Sequence, residues 1–232
     1  NKNKLIYYKK IIKLLNSIQK IKTRKIKTFL GSNYMVPKYS KKILLDEARL
    51  FLDWYVPKKI KKNNQNLLKK RLLLILKILI KKIKFSNKTF VHRDFHVSNL
   101  MIQNKKLCVI DSQDAVFGNV AYDVASLIDD VRLKTSIGFK RILLEEYIKT
   151  NKKINVKNFK NDFEILSVLR NLKIIGIFTR LSIRDKKDSY LKLIPYAWKL
   201  IEQRIDKDKK FIELKIILDK YFSKKVRNKY EN

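Results

Sequence analysis

The sequence predicts an α+β fold that is mostly helical and organised around one small β-hairpin. Apolar residues recur at helical spacing over most of the 232 residues, the pattern of helices with one face turned to a core. One stretch, Leu100 to Ile110, reads instead as two short strands about a turn, Leu100–Gln103 and Leu107–Ile110 around Asn104–Lys106. With 45% apolar residues the chain is long enough for one large domain or two small ones.

Taken in order, LIYYKKIIKLLNSIQKI opens the chain as a helix with Leu5, Tyr8, Ile11, Ile12, Leu15 and Ile18 on one side. A linker around Gly31 to Ser40 follows. Residues 43–56, ILLDEARLFLDWYV, form a second helix expected to stop near Pro57, because the residue before proline is pushed out of the helical region. Glu47 and Asp53 lie on it, either as a solvated face or within reach of a polar ligand. NLLKKRLLLILKILIKKIK, 66–84, is a strongly apolar helix flanked by lysines. Its unbroken apolar run is too short to span a membrane. It reads as a buried support leading into the hairpin, although a basic amphipathic helix of this kind also suits an acidic lipid surface. Beyond the hairpin, helical spacing covers Tyr122–Arg132, Phe139–Lys149, Phe159–Leu181, Ser189–Arg204 and Phe211–Phe222. Their aromatics, Phe163, Phe178, Tyr190, Tyr196 and Trp198, are expected in the core.

The chemistry is concentrated between Phe90 and Asp114, FVHRDFHVSNLMIQNKKLCVIDSQD. Asp94 and Asn99 stand in the spacing H-x-D-x-x-x-x-N, and Asp111 ends the second strand. Pairing the strands brings the loop before the first beside the end of the second, so three oxygen ligands converge. Phosphoryl transfer asks for that set: a carboxylate to orient and deprotonate the acceptor hydroxyl, and oxygen donors for magnesium. Asp94 is then the base, Asn99 and Asp111 hold Mg2+ and through it ATP, and His92 braces the loop by hydrogen bonding. A zinc centre is the competing option, since His92, Asp94 and His96 alternate. With two histidines and one distant cysteine in the chain, such a centre is hard to complete.

HRDFHVSNLM followed by VIDSQDAVFGNVAYDVASL resembles the catalytic and metal-binding loops of the aminoglycoside phosphotransferase and choline kinase-like superfamily, relatives of the protein kinases. Within it the chain is most similar to the bacterial cell-wall amino-sugar kinases, which phosphorylate N-acetylmuramate and N-acetylglucosamine at the anomeric hydroxyl. LLDEARLFLDWYV (44–56) and RNLKIIGIFTRLSIRDKKDSYLKLIP (170–195) support that narrower likeness. The resemblance implies Asp94 as catalytic base, Asn99 and Asp111 as magnesium ligands, and Asp123 as a prop beneath the catalytic loop. It also matches Arg180, Arg184 and Asp185 to the pattern R-x-x-x-R-D, where a basic pair suits a carboxylate such as that of a muramic acid; a salt-bridged surface loop is the plainer role. Gln113 and Asp114 are candidates for contact with substrate, or simply a polar turn. One departure is Ser112, which stands where the family usually has an aromatic residue.

Kinases of this kind also need an amino-terminal lobe whose glycine-bearing loop and strand lysine hold the phosphates. With four glycines, no Gly-rich loop and no run of strands ahead of Asp94, the chain reads as a carboxy-terminal lobe. The expected layout is a helix and linker over 1–42, a kinase-like lobe over 43–222 and a charged tail over 223–232 that frays. The expected partners are a small sugar and a nucleotide. The alternative is a catalytically silent remnant serving as a binding or scaffolding module, against which the retention of all three site residues argues.

Fifty-six Lys and Arg against 21 Asp and Glu give a formal charge of +35. Such a surface attracts nucleic acid or anionic membrane without specificity. The lysines are scattered through every segment and accompany abundant Ile and Asn, which points to AT-rich codon usage and to no specific nucleic-acid partner. The lone Cys108 reads as a small buried apolar residue, and a single cysteine excludes an intramolecular disulfide, in keeping with a reducing cytoplasm.

Overall fold

The computed structural model describes residues 2–104, 106–206 and 208–230. In chain order the elements are α1 Lys2–Gln19, β1 Lys25–Lys27, β2 Asn33–Met35, α2 Lys41–Leu50, α3 Val56–Lys59, α4 Lys62–Lys81, β3 Thr89–Val91, β4 Leu100–Gln103, β5 Lys106–Val109, β6 Val116–Gly118 and α5 Tyr122–Ile128. The chain continues as α6 Ile137–Thr150, α7 Val156–Asp185, α8 Ile194–Ile205, α9 Ile212–Tyr221 and α10 Lys224–Arg227. No helix among the described residues is long and apolar enough to cross a membrane. The chain divides into two compact units: one gathers the residues up to Ser40 with Lys84–Phe163, the other Lys41–Ile83 with the residues from Glu164 on.

The first unit holds all the strands, each paired antiparallel with one other: β1 with β2, β3 with β6, and β4 with β5. The stretch from 25 to 35, expected to belong to helix and linker, is in fact a hairpin. Its return is made by Gly31 at φ 78°, a conformation that costs glycine little, and by the Thr28 amide donating to the Ser32 carbonyl at 2.8 Å. The expected catalytic hairpin is present with register Leu100↔Val109 through Gln103↔Lys106, and Asn104 turns at φ 49°. Lys106 pairs in the strand instead of turning, and Lys105 lies outside the described residues. Cys108 is only half-buried, because β4 and β5 form a two-stranded ribbon with one face open. α5 is buried at every position from Tyr122 to Ile128. Behind it, fully buried Asp162 collects the Lys84 amide (2.8 Å), the Phe85 amide (2.8 Å) and the Asn119 side-chain amide (2.7 Å), tying down the approaches to β3 and α5.

In the second unit the helix entering Pro57 does not end there. After α2 the turn widens over Phe51–Tyr55 into a π-helix, with the Val56 amide bonding to the Phe51 carbonyl, and α3 then runs on to Lys59. The widened turn reorganises the ladder where proline has no N–H to offer, so the chain stays helical past it. The π-turn delivers Phe51 and Tyr55 to a cluster with Trp198 and Phe222, with ring centroids 5.2 to 5.9 Å apart. The Trp198 indole N–H donates to the Tyr55 hydroxyl at 3.1 Å. α4 buries one side only, through Leu68, Leu72, Ile75, Leu76, Leu79 and Ile80, so it is amphipathic and not wholly interior. Glu47 pairs with Lys173 at 2.9 Å, both nearly buried, which is neither a solvated face nor a ligand contact. The segment expected to fray is ordered by Arg227, which bonds Glu202 and Asp219 and lies 4.9 Å from the Trp198 ring; the last two residues lie outside the described ones.

Gly176 of α7 sits where only a hydrogen fits. A Cβ there would stand 2.3 Å from the Leu50 carbonyl carbon and 2.5 Å from the Phe51 amide nitrogen, both backbone atoms. Gly176→Ala should therefore cost about 3 kcal/mol or more despite alanine's better helix propensity. A urea midpoint that rises or stays unchanged would contradict this packing.

Candidate active site

The site residues of the first unit sit on a loop held from beneath. β3 ends at Val91, and the chain then turns through Arg93, whose φ is 74°. A non-glycine residue pays for that conformation, so something must hold it. Asp123, fully buried in the first turn of α5, accepts the His92 amide on Oδ2 at 2.7 Å and the Arg93 amide on Oδ1 at 3.1 Å. Both carboxylate oxygens are thus spent on consecutive amides across the turn. Its role is not to cap its own helix, which has no side-chain cap.

His92 is buried, and its ring Nε2 lies 3.0 Å from the Ile110 carbonyl oxygen. A carbonyl can only accept, so Nε2 carries the proton and Nδ1 holds a lone pair, buried and without a partner. Burial holds the imidazole pKa below its ordinary value, opposed by the Ile110 bond and by the charges of Asp94 and Asp111. His92 thereby couples the start of the loop to the end of β5.

Past the half-buried Asp94 the backbone tightens: the His96 amide bonds to the Asp94 carbonyl at 3.0 Å and the Asn99 amide to the His96 carbonyl at 3.0 Å. Val97–Asn99 form one 3-10 turn. The Asn99 side-chain amide donates to the Asp94 carbonyl at 3.0 Å, which fixes the flip and leaves Oδ1 as the atom available to a cation. The Asn99 carbonyl in turn accepts the Ile110 amide at 3.0 Å, extending the β4–β5 ladder by one pair. Asp111 therefore follows directly from the residue bonded to Asn99. It is exposed, adopts φ 70°, and receives the Gln113 side-chain amide on Oδ1 at 2.7 Å. Asn99 and Asp111 are hard oxygen donors, and two protein ligands suit magnesium, which keeps waters and phosphate oxygens in its octahedron. Among the described residues no group of three His, Cys, Asp or Glu is disposed to hold a metal.

Asp114 contributes its backbone carbonyl to the Arg93 guanidinium at 3.2 Å, and its side chain is exposed. Arg180 and Arg184 belong to the second unit. Arg184 grips its neighbour Asp185 with two bonds of 2.7 and 2.9 Å on the surface, as in the salt-bridged alternative, and its guanidinium is committed there. Two carboxylates that organise this region escaped the sequence reading, Asp162 and Asp130; Asp130 accepts the Val97 amide at 3.1 Å. Asp130 carries a signal, an acid within the apolar run LIDDV, whereas Asp162 stands among polar neighbours, KNDFE, and carries none.

Hairpin, loop and buried props are arranged as phosphoryl transfer would ask. Residues 7–154 match the phosphotransferase enzyme family, and the chain belongs to it. It is 33% identical over 169 residues to an N-acetylmuramate/N-acetylglucosamine kinase of Neisseria meningitidis serogroup B, covering 69% of this chain and 50% of that protein. An enzyme of the same name from Pseudomonas aeruginosa is 29% identical over 186 residues, 78% of this chain and 55% of its own length. Among solved structures it is similar to a spectinomycin phosphotransferase, with 16% identity, a TM-score of 0.48 and coverage of 91% of this chain and 64% of that one. The chain spans about half the length of the curated relatives it matches.

Two outcomes test the support of the loop. Asp123→Ala orphans two amides and should cost roughly 3 to 6 kcal/mol, each bond to a charged group contributing about 1.5 to 3; a loss below about 1 kcal/mol would show the amides find other partners. His92, with its folded pKa below the unfolded value of about 6.5, is neutral in both states at higher pH. Its contribution is full there and is lost as pH falls from about 6.5 through the folded value, because the unfolded state takes up the proton first. Denaturation midpoints of His92→Asn should accordingly fall less between pH 7 and 5 than those of the parent.

Proposed function

We propose that the protein is an ATP-dependent kinase of a small-molecule hydroxyl, with the anomeric hydroxyl of N-acetylmuramate or N-acetylglucosamine as acceptor. The observation that carries this is a single one: in a chain of the phosphotransferase family, Asp94, Asn99 and Asp111 lie on one loop and one hairpin end, linked through the Asn99–Asp94 and Ile110–Asn99 bonds. The two kinases named for those sugars, at 33% and 29% identity, support the acceptor class. The activity is assigned to the whole protein, with a nucleotide-binding lobe in place.

In this reading Asp94 accepts a hydrogen bond from the acceptor hydroxyl, aims its oxygen at the terminal phosphorus of ATP and takes the proton as that oxygen bonds to phosphorus and the bond from phosphorus to the bridging oxygen breaks, releasing ADP. Asn99 Oδ1 and the open oxygen of Asp111 would hold Mg2+, which when bound supplies neutralising charge to the phosphates. Gln113 occupies the other oxygen of Asp111 and so limits how its carboxylate turns. His92, neutral and buried, sets the spacing between the Asp94 and Asp111 loops.

Asp94→Ala should lower kcat by about 10²–10⁴-fold while magnesium–nucleotide affinity holds. Asn99→Ala and Asp111→Ala should weaken metal and nucleotide together, by at least the roughly 10-fold that loss of an outer-shell partner costs. Single-turnover transfer of labelled phosphate to the two amino sugars reads both. Turnover by the Asp94 variant at the parent rate removes the mechanism, and phosphorylation of neither sugar removes the acceptor.

A further inference from the structure

We infer that Asp130 is a positioning residue that sets Asn99 for metal binding, a role resting on the assignment of Asn99 as a magnesium ligand. Asp130 is 1% exposed and lies two residues beyond α5. Its Oδ2 accepts the Val97 amide at 3.1 Å, and its Oδ1 accepts the Arg132 amide at 2.9 Å with the Arg132 guanidinium 3.6 Å away. Val97 is the first residue of the 3-10 turn and Asn99 the last. A turn of three residues has little freedom once its first amide and its last carbonyl are both held, and the Asn99 carbonyl is held by the Ile110 amide at 3.0 Å.

The relation to Asp123 makes the arrangement more than a local bond. Asp123 in the first turn of α5 fixes the amides of His92 and Arg93, ahead of Asp94. Asp130 just past the last turn fixes the amide of Val97, behind it. One wholly buried helix thus spaces two carboxylates that clamp the loop on either side of the base. A buried carboxylate is expensive to desolvate, and two amides with one partly exposed guanidinium are modest compensation. A site selected for stability alone would have no reason to keep it; one that must hold a ligand within about 0.5 Å does.

The test uses the full-length protein with Mn2+ as the spectroscopic stand-in for magnesium, together with hydrogen exchange resolved to single amides. Asp130→Ala should leave His92 and Arg93 protected, release the amides of Val97 and Asn99, and weaken Mn2+ binding by about 10 to 100-fold, as outer-shell losses do. Asp130→Asn, which keeps the shape and one acceptor oxygen, should weaken it less; it also serves if the alanine variant does not fold. Mn2+ affinity that falls in Asn99→Ala and Asp111→Ala but stays at the parent value in both Asp130 variants overturns the inference and leaves the proposed function intact. Affinity indifferent to all of these substitutions overturns the metal site itself, and the inference with it.

Discussion

The structure of the site depends on one kind of interaction, a buried carboxylate accepting backbone amides from a loop that has no ladder of its own. Asp123 makes it with His92 and Arg93, Asp130 with Val97 and Arg132, and Asp162 with Lys84 and Phe85. A loop carrying polar ligands cannot bury its amides against apolar side chains, and water is a poor jig for chemistry. Charged acceptors bind such amides about twice as strongly as neutral ones. Three aspartates therefore replace the strand that is missing beneath the loop, and they fix it at its approach, its start and its far end.

That solution requires a rigid platform for the carboxylates. α5 is buried at all seven positions from Tyr122 to Ile128, and Asn119, just ahead of it, bonds both the Ala121 amide at 2.9 Å and Asp162 at 2.7 Å. The platform is then tied at its other end, where Lys140 of α6 reaches the buried Asp129 at 2.9 Å and the Ile128 carbonyl at 2.7 Å. An uncompensated buried charge on either side of that pair would be costly, so both persist together. Arg93 and Asp111, two of the four described non-glycine residues with positive φ, are the strain this scaffold maintains at the loop.

What the sequence revealed follows the range of each interaction. The β4–β5 hairpin, the helices and the grouping of Asp94, Asn99 and Asp111 were legible because they rest on short-range periodicity and fixed spacing. The β1–β2 hairpin was missed because Ile26 and Tyr34 face solvent and leave no apolar alternation to read. Pro57 was misread as a stop because a π-turn depends on packing partners distant in sequence, among them Gly176 against Leu50. Asp130 and Asp162 were invisible as functional supports since their partners lie 33 and 78 residues away. For Asp130 the acid within LIDDV is a sign that such a partner exists, but it does not say which; Asp162, in KNDFE, gives no such sign.

Burial finally separates the aspartates that hold the loop from those the loop presents. With 56 cationic residues against 21 anionic ones, a carboxylate left near the surface would be expected to collect a lysine or arginine. Asp46, Asp185, Asp206 and Asp219 all do so. Among the described residues Asp94 and Asp111 are in no ion pair, and neither are the exposed Asp53 and Asp114; Arg93, next to Asp94 in sequence, donates to the Asp114 carbonyl and lies over the face of Tyr39. Arg93 holds its left-handed φ of 74° with its amide bonded to the Asp123 carboxylate, and a non-glycine residue keeps that conformation only where its surroundings over-determine it. The same buried group thus fixes both the start of the loop and the turn from which the Arg93 side chain departs.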